Sequence, residues 1–224
     1  MFGLVAALTL VSASGCSVAS QSRELDPNVD AAYAKFYTQP IDWNRCDTFD
    51  CAEVMVPMNW SDPEGEVITI SVIRSKATGA KPIGDLLLNP GGPGASGVDF
   101  VRDNLEYIGT EALRANYNLI GFDPRGTGTS SPVTCLDDAG LDEFLYSQSP
   151  YPNDDAKDLE YWAGLTAKFG EACIANTGEV IKYLDTQSAA KDMDVIRSYL
   201  EQDKLDYVGF SYGTLLGATY ASIF

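Results

Sequence analysis

The stretch Asp206 to Gly217 constrains the fold more than any other part of the chain. A β-type run, Tyr207 to Phe210, meets a helix-type run that begins near Tyr212. Between them Ser211 is flanked by Gly209 and Gly213 in the pattern G-x-S-x-G. A strand that turns at once into a helix forces the serine into a strained backbone conformation and holds its hydroxyl out at the sheet edge. Glycine two residues before and two after removes side chains that would collide in so tight a turn. In that geometry the amide of Tyr212 can face a developing oxyanion, and the helix N-terminus adds a favourable field. The five-residue pattern is short, and an ordinary strand–helix turn is the competing reading. The strand before it and the helix after it supply the context that the motif requires.

The rest of the chain has to build a sheet for that strand. Ala52 to Asn59 and Glu66 to Arg74 alternate as half-buried strands do, and Ser61 to Gly65 between them has turn composition, which predicts an antiparallel hairpin. Asp85 to Asn89 is a short continuous apolar run, expected of a strand buried on both faces. It ends in Pro90-Gly91-Gly92-Pro93-Gly94-Ala95-Ser96-Gly97, a loop that brings bare backbone amides close to a partner. The loop lacks the lysine of a P-loop, so phosphate is disfavoured; a second oxyanion amide fits, and a rigid turn without a ligand is the alternative. Val98 to Ala115 is expected as one helix facing inward through Phe100, Leu105, Ile108 and Leu113. Tyr117 to Phe122 is a further strand, followed by Asp123-Pro124-Arg125-Gly126-Thr127-Gly128. Here Arg125 has two readings: a group for an anionic substrate, or, with Asp123, a tie that fixes the loop through hydrogen bonds and a partly buried ion pair. Val133 to Gly178 is irregular and acidic, with helical pieces at 141–146 and 158–175. Thr186 is placed to cap a helix over 187–200 whose inner face is Ala190, Met193, Ile196 and Leu200. Strands alternating with helices imply a mostly parallel sheet covered on both faces, with functional groups at the carboxyl ends of the strands. Three glycine-rich turns fall at three such ends.

Composition narrows the partners. The chain has 224 residues, 45% of them hydrophobic, enough for one sizeable core. Fifteen basic residues stand against 32 acidic ones, a net charge of −17, which disfavours nucleic acid and anionic membrane as partners. Phe2 to Val11 is apolar but too short for a stable membrane span, and fits the core of a secretory signal. Ser14-Gly15-Cys16 reads as a lipoprotein processing site, with Cys16 as the lipid-bearing residue; a soluble cleaved signal and a buried N-terminal segment are the alternatives. Residues 1–30 are expected as leader and polar tether, and residues 31–45, with Tyr33, Phe36, Tyr37, Ile41 and Trp43, as a cover packed on the outside of the core. The remaining cysteines are Cys46, Cys51, Cys135 and Cys173. In an exported chain they are expected to pair as 46 with 51 and 135 with 173, buried thiols being the alternative. No C-x-x-C spacing and no histidine occur, so neither a metal nor another cofactor is expected.

Three motifs, N-P-G-G-P-G at 89–94, G-F-D-P-R-G-T-G-x-S at 121–130 and G-F-S-Y-G-T-L-L-G at 209–217, together resemble the α/β-hydrolases. Within them the chain is similar to the exported tripeptidyl-aminopeptidase and proline-iminopeptidase branch of actinobacteria, over residues 35 to 224. The resemblance implies an α/β-hydrolase fold and Ser211 as the catalytic nucleophile. It implies an oxyanion hole from the amides of Tyr212 and of the Gly91-Gly92 turn, with Gly92 favoured. It also implies a Cys135–Cys173 disulfide, a peptide substrate, and release of tripeptides or single residues from peptide N-termini. A carboxylesterase or lipase on the same fold, or a non-catalytic lipoprotein that keeps the elbow, are the alternatives. In this family an acid and a histidine follow the serine along the chain. Here 13 residues follow Ser211 and contain neither. Residues 31–224 are therefore expected to be the N-terminal part of a longer catalytic domain, without the lid and last strands, inactive alone and with an exposed apolar sheet edge.

Overall fold

A computed structural model describes residues 23–40 and 42–224. The leader, Cys16 and Ile41 lie outside the described residues. One six-stranded sheet organises the chain, in the order β1-β2-β3-β5-β4-β6. The strands are β1 Asn44–Cys46, β2 Phe49–Pro57, β3 Val67–Ser75, β4 Gly84–Asn89, β5 Tyr117–Phe122 and β6 Asp206–Gly209. Strands β1, β2, β3 and β5 pair antiparallel in succession, while β4 lies parallel between β5 and β6. The hairpin is present as expected, and β1 is an added edge strand joined to β2 through the Cys46–Cys51 disulfide.

Alternation along each strand divides the core into two layers. Leu87 of β4 points to one face, with Val54, Ile70, Val72, Ile120 and Phe122 from the neighbouring strands. Helix α6 (Thr186–Tyr199) and helix α7 (Tyr212–Ile223) cover that face through Met193, Ile196 and Leu216. Leu86 and Leu88 point to the other face and meet Ile73, Leu119 and Val101 of helix α2 (Gly97–Ile108). Helix α1 (Ala34–Tyr37) closes the first layer with Phe36 and Tyr37. Residues 23–30, expected within a tether, also lie against the body: Leu25 and Val29 pack on the first layer and Arg23 donates to Ser198 Oγ at 3.3 Å.

The single helix expected over 98–115 is two. Gly109 is extended, and Thr110 caps α3 (Glu111–Asn116) by accepting the Leu113 N–H. The residue that α2 buries fully is Val101. Its register follows from close backbone contact: a methyl on Gly97 would fall on the Phe122 carbonyl, and one on Gly121 on the Gly97 carbonyl. The cap of α6 is Asp185, whose carboxylate accepts the Ser188 N–H; Thr186 is instead the first helical residue. The excursion 133–178 holds α4 (Asp138–Tyr146) and α5 (Asp155–Thr177), longer than the pieces expected there. The Cys135–Cys173 disulfide fastens the start of the excursion to the end of α5.

Candidate active site

The turn from β6 into α7 places Ser211 at φ 51°, ψ −122°, on the left-handed side that a serine adopts only at a cost of order 1–3 kcal/mol. Neighbouring bonds hold it there. Phe210 N–H donates to the Asn89 carbonyl at 3.0 Å, Gly213 N–H to the Phe210 carbonyl at 2.7 Å, and Thr214 N–H to the Ser211 carbonyl at 3.0 Å. Tyr207 Oη donates to the Gly213 carbonyl at 2.8 Å, stapling strand to helix. The glycines at 209 and 213 are in backbone contact, so a methyl on Gly209 would fall on the Gly213 carbonyl. The Ser211 side chain is exposed and takes no hydrogen bond among the described residues.

The loop after β4 is seated on this elbow. Gly91, Gly92 and Gly94 all have positive φ. A Cβ at Gly91 would lie 2.5 Å from the Phe210 carbonyl oxygen, 2.9 Å from Ser211 Cβ and 3.2 Å from the Tyr212 nitrogen. The Gly91 N–H is already committed, donating to Asn89 Oδ1 at 2.9 Å. The N–H groups of Gly92 and Tyr212 have no partner among the described residues. Tyr212 is fixed from its other end by a 2.9 Å bond between its hydroxyl and Thr186 Oγ1. Gly91→Ala is expected to lift the loop off the elbow, because both the φ of +100° and the contacts forbid a side chain. The expected cost is about 1–3 kcal/mol in denaturant unfolding and about a hundredfold in the rate of phosphonate labelling at Ser211 in the full-length enzyme.

Asp123 and Arg125 do not pair with each other. Asp123, 2% exposed, accepts from Ser96 Oγ at 2.5 Å and Val98 N–H at 3.1 Å, and from Thr129 N–H at 3.0 Å. It therefore ties the far end of the glycine loop to the turn after β5. Arg125 forms a buried ion pair with Asp192 of α6, rather than a partly buried one near the loop. Nε and Nη2 reach the carboxylate at 2.7 and 2.6 Å, and the other three donors go to the carbonyls of Pro57, Met58 and Tyr183. All five guanidinium N–H donors are used, leaving none for an anionic substrate. Trp60 Nε1 completes the network on Asp192 at 3.0 Å. Sequence reasoning placed Asn89 at the head of the first motif without giving its side chain a role, and missed Ser96 and Asp192 as parts of this machinery. Asn89 carried a local signal as an Asn that ends a strand before a Pro-Gly-Gly turn, and Ser96 as a helix N-cap, whose hydroxyl accepts the Asp99 N–H; Asp192 carried none.

Among the described residues no group of three or more His, Cys, Asp or Glu side chains is placed to hold a metal. The family profile described as alpha/beta hydrolase fold matches residues 86–224, more than half of the chain. The chain belongs to the α/β-hydrolase family. Within it, the chain falls in the branch that includes the tripeptidyl aminopeptidases. It is 38% identical over 189 residues to the tripeptidyl aminopeptidase of Streptomyces lividans, covering 82% of this chain and 34% of that protein. It is 34% identical over 199 residues to serine protease Hip1 of Mycobacterium tuberculosis, covering 83% and 37%. Carboxylesterase B of the same organism is 36% identical over 167 residues, covering 69% and 32%. The chain thus spans about a third of the length of these curated relatives.

Proposed function

We propose that this chain carries the nucleophile and oxyanion hole of an exported serine peptidase that releases short peptides or single residues from peptide N-termini. The observation that carries the reading is the seating of Gly91 against an exposed and strained Ser211, with the N–H groups of Gly92 and Tyr212 left without a partner among the described residues. In the reaction Ser211 Oγ forms a bond to the scissile carbonyl carbon while a base takes its proton. The carbonyl π pair moves onto oxygen, where the two amides receive it. The C–N bond then breaks, the base returns the proton to the leaving amine, and water hydrolyses the acyl-enzyme by the same route. No histidine occurs among the 224 residues. On this reading a histidine base is not among these residues, and they alone should show no measurable turnover. Two disulfides suit an oxidising compartment, consistent with export; Cys16 as a membrane anchor rests on the Ser14-Gly15-Cys16 sequence alone.

The likeness to carboxylesterase B favours an ester substrate as the second reading. Labelling the full-length enzyme with a fluorophosphonate and mapping the adduct tests the site. We expect the label on Ser211; an adduct on any other residue removes the assignment. Comparing kcat/KM on a tripeptide anilide with that on a nitrophenyl ester separates peptidase from esterase.

A further inference from the structure

We propose that Asn89 is a positioning residue that sets the spacing of the two free amides, an inference that rests on the reading of Ser211 above. Asn89 ends β4 and is fully buried. Its main-chain carbonyl holds the Phe210 N–H at 3.0 Å, and its side-chain Oδ1 holds the Gly91 N–H at 2.9 Å. One residue therefore grips the elbow with its backbone and the glycine loop with its side chain. A Cβ at Gly213 would lie 2.9 Å from both of these Asn89 oxygens, so the first turn of α7 closes over the same group.

Two consequences follow for the chemistry. Because the Gly91 N–H is consumed by Oδ1, the next amide along the loop, that of Gly92, is the first one without a partner among the described residues. Because the loop is held at a residue that also holds Phe210, it cannot tip away from Ser211 without breaking a buried bond. The rest of the carboxamide does not explain its presence. Nδ2 is buried with no partner among the described residues, a cost that an apolar side chain of similar volume would avoid. What Asn89 contributes here is its acceptor.

Amide hydrogen exchange on the full chain tests this without requiring turnover. In the wild type the Gly91 amide should exchange at least about tenfold more slowly than that of Gly92. Asn89→Ala should speed Gly91 about tenfold while Phe210, bonded to a main-chain carbonyl, stays within about twofold. Asn89→Asp keeps an acceptor and, neutral when buried, should retain the Gly91 protection. Equal exchange at Gly91 and Gly92 in the wild type, or parallel acceleration of Gly91 and Phe210 in Asn89→Ala, would overturn the proposal. In the full-length enzyme Asn89→Ala should lower kcat about ten- to a hundredfold with KM held, and Asn89→Asp should recover most of it; a fall confined to KM counts against it. If phosphonate does not label Ser211, the catalytic reading fails while the contrast between Gly91 and Gly92 stands, so the two failures are distinguishable.

Discussion

Ser211→Ala is expected to lower kcat on a peptide substrate about a million-fold in the full-length enzyme, while leaving its stability within about 0.5 kcal/mol. The first part follows from the reaction, since no other group in the elbow can form the acyl bond. The second follows from the surroundings. The serine oxygen is exposed and unbonded, so its removal breaks nothing. Alanine meets the same strain at φ 51° that serine does, and every bond that holds the turn uses main-chain atoms or other side chains. Single-turnover assay and a thermal melt check both parts. Retained turnover would remove Ser211 as nucleophile. A large loss of stability would make the strained conformation a folding device rather than a chemical one.

Asp192→Ala is expected to cost about 3–5 kcal/mol of unfolding free energy, because it leaves the Arg125 charge buried with no counter-ion. Trp60 Nε1 loses its acceptor as well. For a chain of this size the loss corresponds to a fall in Tm of about 10 °C. Burial raises the Asp192 carboxyl above its ordinary range, and the adjacent guanidinium and the indole N–H oppose that rise only in part. Arg125→Met should cost about as much, since it orphans the carboxylate and three carbonyls together. The double variant should cost less than the sum of the two, and that difference measures the coupling. Denaturant melts at low and high salt give the values, which should barely respond to salt because both side chains are 1% exposed. A cost under about 1 kcal/mol for either single change would show that the network does not stabilise the fold.

The parts of this structure that could be read in advance are those written in short-range patterns. The elbow, the glycine loop and the alternating strands each depend on residues within a few positions of one another, and periodicity and turn chemistry report them directly. Pairings that need the finished fold were hidden. Arg125 finds Asp192 67 positions away, across the contact of the β5 turn with α6, and nothing near either residue announces the other. The cap of α6 was misread by one position because Asp185 and Thr186 are both competent caps and only the backbone at Asp185 is extended. The break at Gly109 was missed because apolar spacing continues across it, from Ile108 to Leu113. Residues 44–46 carry no strand pattern and become a strand because the disulfide and the neighbouring edge of β2 hold them.

The crossing of α2 over β5 has a consequence for how such a protein can diversify. Where helix meets strand through bare peptide groups at Gly97 and Gly121, not even one extra carbon can be admitted. Evolutionary drift, or an engineer's library, finds no room at that seam and has to work elsewhere. The 23-residue helix α5, which buries only Cys173, offers the opposite condition: a surface on which new sequence can be tried without disturbing the sheet or the turn at Ser211.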